Sequence, residues 1–131
     1  MQNKIHNTWP DYSKEEISQV KKVLESNKVN YWTGNECRKF EKEFAKYFGS
    51  KYSVSLSNGT VAIDLALKTL GIGHGDEVIV TSRTFIASVS SIVNSGATPI
   101  FADVCPNSQN FRSSSISKKK KKNTKAILCV H

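Results

Sequence analysis

The sequence lacks any apolar run of the roughly 18 residues that a membrane-spanning helix requires. Its N-terminal stretch, Met1–Tyr12, carries no apolar core of signal-peptide length. Cysteine is scarce, and the three cysteines (Cys37, Cys105, Cys129) form no Cys-x-x-Cys pair and have no histidine at metal spacing. This spacing argues against a zinc site and against a disulfide framework. We therefore expect a cytoplasmic protein with reduced thiols, without a metal site and without a membrane partner.

Acidic residues are also few, 11 against 19 lysines and arginines, and the formal net charge is +8. Six of the positive charges fall within eight residues, at Lys118–Lys122 and Lys125. A local lysine run is typical of a solvated surface, so we expect no nucleic-acid partner. With 131 residues, of which 38% are hydrophobic, the chain can bury one sizeable core. The length predicts a single domain, or part of one, over residues 1–131.

The first third of the chain predicts two helices. Ser13 and Glu16 have the spacing of a capping box, so the first helix should begin after Ser13 and end near Ser26. The second should run from Glu36 to Phe48, with Gly49 as a left-handed stop. Its aromatic residues have the helical spacing of a core-packing stripe: Phe40, Phe44, Tyr47 and Phe48.

Between these helices lies a loop of aromatic, small and polar residues, Asn30–Asn35. An exposed Tyr31-Trp32-Thr33-Gly34 could line a binding site or a subunit interface. A turn anchored by a buried Trp32 accounts for the same residues equally well.

After Lys51, short apolar runs alternate with helical patterns. This alternation predicts an α/β fold, with a mostly parallel sheet and helices on its faces. The predicted strands are Tyr52–Leu56, Glu77–Val80, Ala97–Ala102 and Ala126–Val130, and the predicted helices are Gly59–Leu70, Phe85–Asn94 and Ser113–Lys122. In the helix that begins at Phe85, the residues expected to face inward are Ile86, Val89, Ile92 and Val93.

The turn Ser57-Asn58-Gly59-Thr60 joins the first predicted strand to an apolar helix. The first N–H groups of a helix have no intrahelical acceptor, and the positive end of the helix dipole lies behind them, so such a turn can bind phosphate. Gly59 permits close backbone approach, and the Thr60 hydroxyl can add a hydrogen bond. By itself the turn could equally be the N-cap of an ordinary core helix.

Ligands of parallel sheets bind beyond the carboxyl ends of the strands. The turn at Gly59 should therefore converge with Thr81–Phe85 and with Asp103-Val104, which follow the next two strands. An exposed Phe85 ring there could stack on a flat heteroaromatic ligand. A phosphate seat beside a stacking ring suggests a phosphorylated aromatic cofactor. We assign no site role to Asp103, interpreted as a turn residue, or to His131 at the chain terminus.

Several sequence blocks, in this order and at this spacing, resemble one family. The blocks are Phe40–Ala45, Asn58–Ala62, Gly71–Val80, Thr84–Ala87 and Gly96–Asp103. From about Trp9 to His131 the chain is similar to the N-terminal part of DegT/DnrJ sugar aminotransferases. These are fold-type-I enzymes that depend on pyridoxal 5′-phosphate (PLP).

The resemblance implies that Asn58, Gly59 and Thr60 hold the cofactor phosphate and that Phe85 stacks on the pyridine ring. It also implies that Trp32-Thr33-Gly34 lies near the sugar-nucleotide pocket of a homodimer. Members move an amino group from an amino acid, expected here to be glutamate, to a nucleotide-linked keto-sugar during the synthesis of amino sugars for polysaccharides.

The family's Schiff-base lysine, and the aspartate that faces the pyridine nitrogen, follow the last predicted strand. No lysine of this chain matches the catalytic motif, so we expect no catalytic residue here and a truncated large domain that is inactive alone. Arg83 stands where members usually have proline. Two alternatives stay open: a PLP-dependent sugar dehydratase of the same fold, and a non-enzymatic module that binds phosphate or nucleotide.

Overall fold

The computed structural model describes residues 10–130, so any prediction for residues 1–9 or for His131 lies outside the described residues. The chain divides between Ser55 and Leu56 into two compact units. The prediction of one incomplete domain over residues 1–131 stays a prediction.

The N-terminal unit contains two helices, α1 (Lys14–Glu25) and α2 (Glu36–Phe48), as predicted. α1 begins at a capping box: the Glu16 N–H donates to the Ser13 hydroxyl at 3.1 Å, and the Ser13 N–H donates to the Glu16 carboxylate at 2.7 Å. α2 ends at Gly49, whose φ of 66° is left-handed. Local capping chemistry therefore sets both of these helix ends.

The prediction that the aromatic stripe of α2 packs into a core is wrong. Its four rings are exposed, from 43% for Phe44 to 84% for Tyr47. Helical spacing instead stacks them along the helix surface, with ring centroids 5.4 Å apart for Phe40 and Phe44 and 4.5 Å apart for Phe44 and Phe48. Ala45 is the one hydrophobic residue that α2 buries. A helical period identifies an apolar face, whereas burial also needs a partner surface.

Tyr52–Leu56 forms no strand, contrary to prediction. A strand needs a neighbouring ladder for its N–H and C=O groups. The Ser55 N–H instead donates to the Glu41 carboxylate at 2.9 Å, inside the N-terminal unit.

The C-terminal unit is the predicted α/β alternation, with three strands in place of four. Its elements are α3 (Gly59–Thr69), β1 (Glu77–Thr81), α4 (Ala87–Asn94), β2 (Thr98–Ala102), α5 (Ser113–Lys119) and β3 (Thr124–Leu128). The strands are parallel in the order β2-β1-β3. Parallel crossovers are right-handed, so the reversal of direction after β2 puts α4 and α5 on opposite faces of the sheet. The α/β class, the parallel sheet and the helices on both faces are confirmed as a partial fold.

The core of this unit lies between the sheet and helices α3 and α4. β1 is its centre, because Val78, Ile79 and Val80 are fully buried. Val78 and Val80 share one cluster with residues of the helices and connections: Leu67, Ile72, Ile92 and Ala97.

The inward face of α4 differs from the predicted one. Ile92 is fully buried and Val89 packs against the core, but Ile86 and Val93 are 68% and 57% exposed. α4 begins at Ala87, two residues later than predicted, and it buries the small residues Ala87, Ser88 and Ser91. Small side chains allow close helix packing, which an apolar period alone does not reveal.

Candidate cofactor site

The first turn of α3 is built as the sequence predicts. Asn58 is its N-cap, in extended conformation, and its side-chain oxygen accepts from the Val61 N–H at 3.0 Å. The Asn58 carbonyl accepts from the Ala62 N–H at 3.2 Å. The N–H groups of Gly59 and Thr60 come before the first intrahelical donor. They therefore remain available to an anion at the positive end of the helix dipole.

The space around Gly59 is open. A Cβ atom added at Gly59 would meet no atom within 4 Å, and its φ is not in the left-handed region. Neither local sterics nor backbone conformation therefore requires a glycine at this position. The half-buried Thr60 hydroxyl makes no hydrogen bond to the described part of the chain. The turn thus offers two N–H groups, one hydroxyl and open space, which are the donor set that a phosphate group needs.

Phe85 lies beyond the carboxyl end of the central strand. The chain passes from β1 to β2 on one side and later to β3 on the other, so the strand order switches at β1. Ligands of open α/β sheets bind at such switch points. The Phe85 ring is 75% exposed, whereas the backbone that carries it is fixed: its carbonyl accepts from the Ser88 N–H at 3.0 Å. Next to it, the hydroxyls of Thr84 and Ser88 are 2.7 Å apart.

Arg83 joins two loops at this edge of the sheet. Its N–H donates to the Thr81 hydroxyl at 3.1 Å, and its guanidinium donates to the side-chain oxygen of Gln109, beyond β2. A proline at this position, which the resemblance led us to expect, could make neither bond. Gln109 escaped the sequence analysis, because no local pattern pairs residues 26 positions apart.

Asp103, to which we assigned no site role from the sequence, lies in the connection after β2. The Asp103 N–H donates to the Ser115 hydroxyl at 2.9 Å, and its carbonyl accepts from the Arg112 N–H at 3.0 Å, as expected of a turn. Two residues later, hydrogen bonds from the backbone N–H groups of Ser108 and Asn107 lower the pKa of the Cys105 thiol.

The lysine run, Lys118–Lys122, lies at the opposite end of the sheet, near the amino ends of the strands. Lys118 and Lys119 close α5, and the remaining lysines lead into the amino end of β3. All of them are exposed, and Lys121 lies 3.7 Å from the Glu77 carboxylate at the amino end of β1. The run therefore stands away from the carboxyl end of β1, beyond which Phe85 lies.

In the N-terminal unit, Asn30 shapes the loop predicted to contact substrate. Its side-chain oxygen accepts from the N–H groups of Trp32 and Thr33, both at 3.0 Å, and from the Thr33 hydroxyl at 3.1 Å. Trp32 is 87% exposed, so the alternative of a turn anchored by a buried tryptophan is wrong. The asparagine fixes the turn through the backbone and leaves the indole ring free.

Gly34 closes this loop. A Cβ atom here would lie 2.3 Å from the Lys28 carbonyl oxygen, so only glycine fits without movement of the backbone. The Gly34 carbonyl accepts from the Arg38 guanidinium at 3.0 Å, and Arg38 lies over the Tyr31 ring, 4.5 Å from its centroid.

Glu41 continues this network on α2. It accepts from the Ser55 N–H at 2.9 Å, from the Ser55 hydroxyl at 2.8 Å and from the Tyr31 hydroxyl at 3.2 Å. These hydrogen bonds, first of all that from the Ser55 backbone, lower the pKa of the Glu41 carboxyl. The Glu41 carboxylate therefore connects Ser55, the last residue of the N-terminal unit, to Tyr31 in the loop that contains Trp32.

A parallel sheet with a free helix N-terminus, and with an exposed aromatic ring beyond its strands, is typical of α/β proteins that bind phosphorylated ligands. The comparisons with known proteins narrow this class. Residues 10–131 match the model of the DegT/DnrJ/EryC1/StrS aminotransferase family, and the chain belongs to this family, whose members are PLP-dependent aminotransferases.

Known relatives agree with this assignment over most of the chain. The GDP-perosamine synthase of Escherichia coli O157:H7 is 44% identical over 122 residues, which are 93% of this chain and 33% of that protein. An aminotransferase structure from Psychrobacter cryohalolentis has a TM-score of 0.90 at 54% identity, over 95% of this chain and 32% of that one. A Streptococcus pneumoniae structure in a PLP form has a TM-score of 0.79 at 32% identity, over 90% of this chain and 30% of that one.

The chain thus spans about a third of the length of the relatives it matches. Among residues 10–130, no helix is both long enough and apolar enough to cross a membrane.

Proposed function

We propose that this chain supplies the phosphate and ring contacts for PLP in a nucleotide-sugar aminotransferase. The Gly59 turn supports this most strongly, because it combines free N–H groups with open space where a side chain would otherwise stand. In this proposal Asn58 orders the turn, Gly59 and Thr60 bind the phosphate, and Phe85 covers one face of the pyridine ring. Bound PLP acts as the electron sink that lets an amino group pass from donor to acceptor.

The names of the relatives support the proposed substrates. Perosamine synthase is named for a GDP-linked amino sugar. We propose the same substrate class here, a nucleotide-linked keto-sugar, with an amino acid such as glutamate as donor. Trp32, Thr33 and Gly34 would contact the nucleotide sugar, with the exposed indole ring available for stacking. The complete enzyme would be a cytoplasmic homodimer.

Cofactor binding by the 131-residue chain tests this proposal. Pyridoxamine 5′-phosphate is the better probe, because it has no aldehyde and cannot condense with the exposed amines of Lys118–Lys122. Its affinity would be measured by isothermal titration calorimetry beside that of pyridoxamine, which lacks the phosphate. We expect the phosphorylated form to bind at least about tenfold more tightly, which corresponds to about 1.4 kcal/mol.

Substitutions at Gly59 and Phe85 test the proposed phosphate and ring contacts separately. Gly59→Ala should weaken binding of the phosphorylated probe without unfolding the chain, because its methyl group occupies the open space. Phe85→Leu should also weaken binding, because it removes the aromatic ring proposed to cover the pyridine ring. Phe48→Leu is the matched control, since Phe48 is a similarly exposed ring (62%) on α2. Equal affinities for the two probes, or equal losses in the two leucine variants, would contradict the proposal.

A separate variant tests the alternative of an anion-binding module. If Lys119→Gln weakened binding of the phosphorylated probe while Gly59→Ala did not, the lysine run would be the anion site.

We further propose that the 131-residue chain does not catalyse amino transfer by itself, because none of its lysines matches the cofactor-bearing motif. A coupled assay for glutamate-dependent release of 2-oxoglutarate would contradict this if it detected turnover.

A further inference from the structure

One side-chain hydrogen bond connects the loop after β1 to the connection after β2. The guanidinium of Arg83 donates to the side-chain oxygen of Gln109, which lies 26 positions further along the chain. Arg83 follows the last residue of β1, Thr81, by two positions, and it precedes Phe85 by two. Two residues span at most about 7 Å, so this bond anchors the chain close to the ring proposed to cover the cofactor.

The loop of residues 82–85 has no other long-range hydrogen bond. Within the described chain, only the bond from Arg83 to Gln109 joins this loop to a segment beyond α4. Its remaining bonds are local: the Arg83 N–H donates to the Thr81 hydroxyl at 3.1 Å, and the Thr84 hydroxyl lies 2.7 Å from that of Ser88. The position of the loop over the sheet therefore depends on a single side-chain pair.

Gln109 is held in place as an acceptor. Its backbone N–H donates to the Cys105 carbonyl at 2.8 Å, and its side-chain NH₂ group donates to the Pro106 carbonyl. Its φ is 62°, a left-handed conformation that glutamine rarely adopts. Such a conformation persists only where the surrounding structure holds it. Because the side-chain nitrogen is already bonded, the side-chain oxygen remains for Arg83.

We propose that Arg83 is a positioning residue for the cofactor ring. Its bond to Gln109 holds the loop after β1, and with it the Phe85 ring, in the orientation that covers the pyridine ring. This inference rests on the proposed function. The Phe85 ring is 75% exposed, so packing against the described chain does not fix it. A loop that must be ordered on binding lowers affinity, and the bond to Gln109 removes part of this cost in advance.

Hydrogen exchange of the 131-residue chain tests the loop without any ligand. The reporter is the Ser88 amide, which donates to the Phe85 carbonyl at 3.0 Å. We expect exchange at this amide to be at least about threefold faster in Arg83→Gln and in Gln109→Asn, because the loop opens more often without the bond. Asparagine suits position 109 because it tolerates the left-handed conformation while its side chain is one methylene shorter.

Calorimetric titration with pyridoxamine 5′-phosphate and with pyridoxamine tests the effect on the cofactor ring. Arg83→Gln and Gln109→Asn should each weaken binding of both probes by about three- to tenfold, because both probes carry the ring. The ratio of the two affinities should stay within about twofold of its original value, whereas a guanidinium that bound the phosphate directly would lower this ratio on removal.

Arg112→Gln is the matched control. Arg112 is an exposed arginine in the connection after β2, and its backbone N–H donates to the Asp103 carbonyl. The substitution removes the same charge as Arg83→Gln without removing the bond to Gln109. It should change either affinity by less than about twofold.

Two combinations of substitutions show whether Arg83 acts through Gln109 and Phe85. The double variant Arg83→Gln/Gln109→Asn should bind within about twofold of the weaker single variant, because both substitutions remove the same bond. In a Phe85→Leu chain, Arg83→Gln should weaken binding by less than about twofold, because no aromatic ring is left to position.

Multiplied losses in either combination would overturn the proposal, as would equal losses in Arg83→Gln and Arg112→Gln or a lowered ratio of the two probe affinities in Arg83→Gln. Unchanged exchange at the Ser88 amide in both single variants would overturn it whatever the titrations show. Equal affinities of the unsubstituted chain for the two probes would contradict the proposed function instead, and faster exchange in both variants would then still support the effect of the bond on the loop.

Discussion

Gly34→Ala gives the sharpest test of the loop proposed to contact the nucleotide sugar. The added Cβ atom would lie 2.3 Å from the Lys28 carbonyl oxygen and 3.0 Å from that of Asn30, whereas ordinary contact begins at 3.4 Å. The Lys28 oxygen would have to move by about 1.1 Å, the difference between 3.4 and 2.3 Å. Both neighbours are backbone atoms and cannot yield as a side-chain end can. We expect a cost of about 1–3 kcal/mol, as for overpacking of a close contact.

The assay is hydrogen exchange at two amides that report on this loop. The N–H of residue 34 donates to the Asn30 carbonyl at 2.8 Å, and the Lys39 N–H donates to the Asn35 carbonyl at 2.9 Å in the first turn of α2. A loss of 1–3 kcal/mol corresponds to about 5- to 150-fold faster exchange if local opening governs exchange. Gly59→Ala is the control, because a Cβ there meets nothing within 4 Å and should leave exchange in α3 unchanged or slower. Unchanged exchange at residues 34 and 39 in Gly34→Ala would refute the reasoning.

Three further predictions follow from burial and hydrogen bonding. Ile92→Ala should lower the free energy of unfolding of the C-terminal unit by about 2–5 kcal/mol in a urea titration, while Val93→Ala should change it by less than about 0.5 kcal/mol; similar losses would contradict the observed face of α4. The pKa of Glu41 is lowered from 4.5, so its stabilising effect is complete above pH 4.5 and is lost as the pH falls through the lower folded value. Glu41→Gln should therefore reduce the acid sensitivity of the N-terminal unit in pH-dependent unfolding, and an unchanged acid profile would count against the role of the carboxylate. Because the pKa of Cys105 is lowered, iodoacetamide should alkylate it with a half-maximal rate at a lower pH in the folded chain than in 8 M urea; coincident pH profiles would refute this.

The sequence predicted the helices of the N-terminal unit almost to the residue, because their ends depend on local chemistry. Ser13 and Glu16 cap α1 through bonds three residues apart, and Gly49 ends α2 through its own backbone conformation. The turn at Asn58 and Gly59 was predictable for the same reason. The parallel sheet was also predictable, since its strands and helices alternate at short spacing.

Features that depend on distant partners were not predictable. The helical period marked Phe40 and Phe44 as a core face, but burial needs a second surface, and both rings are exposed. Tyr52–Leu56 has the composition of a strand, yet the Ser55 N–H bonds to the Glu41 side chain instead of to a neighbouring strand.

The sequence by itself determined the capped helices and the glycine turn proposed to bind phosphate, because each depends on residues within about one helical turn of one another. It indicated the parallel α/β alternation through the order of its apolar runs and helical patterns. Only the tertiary structure decided that Arg83 bonds to Gln109 and that the Ser55 N–H bonds to Glu41. These features depend on contacts between residues far apart in the chain, whose geometry is fixed only after the elements have packed.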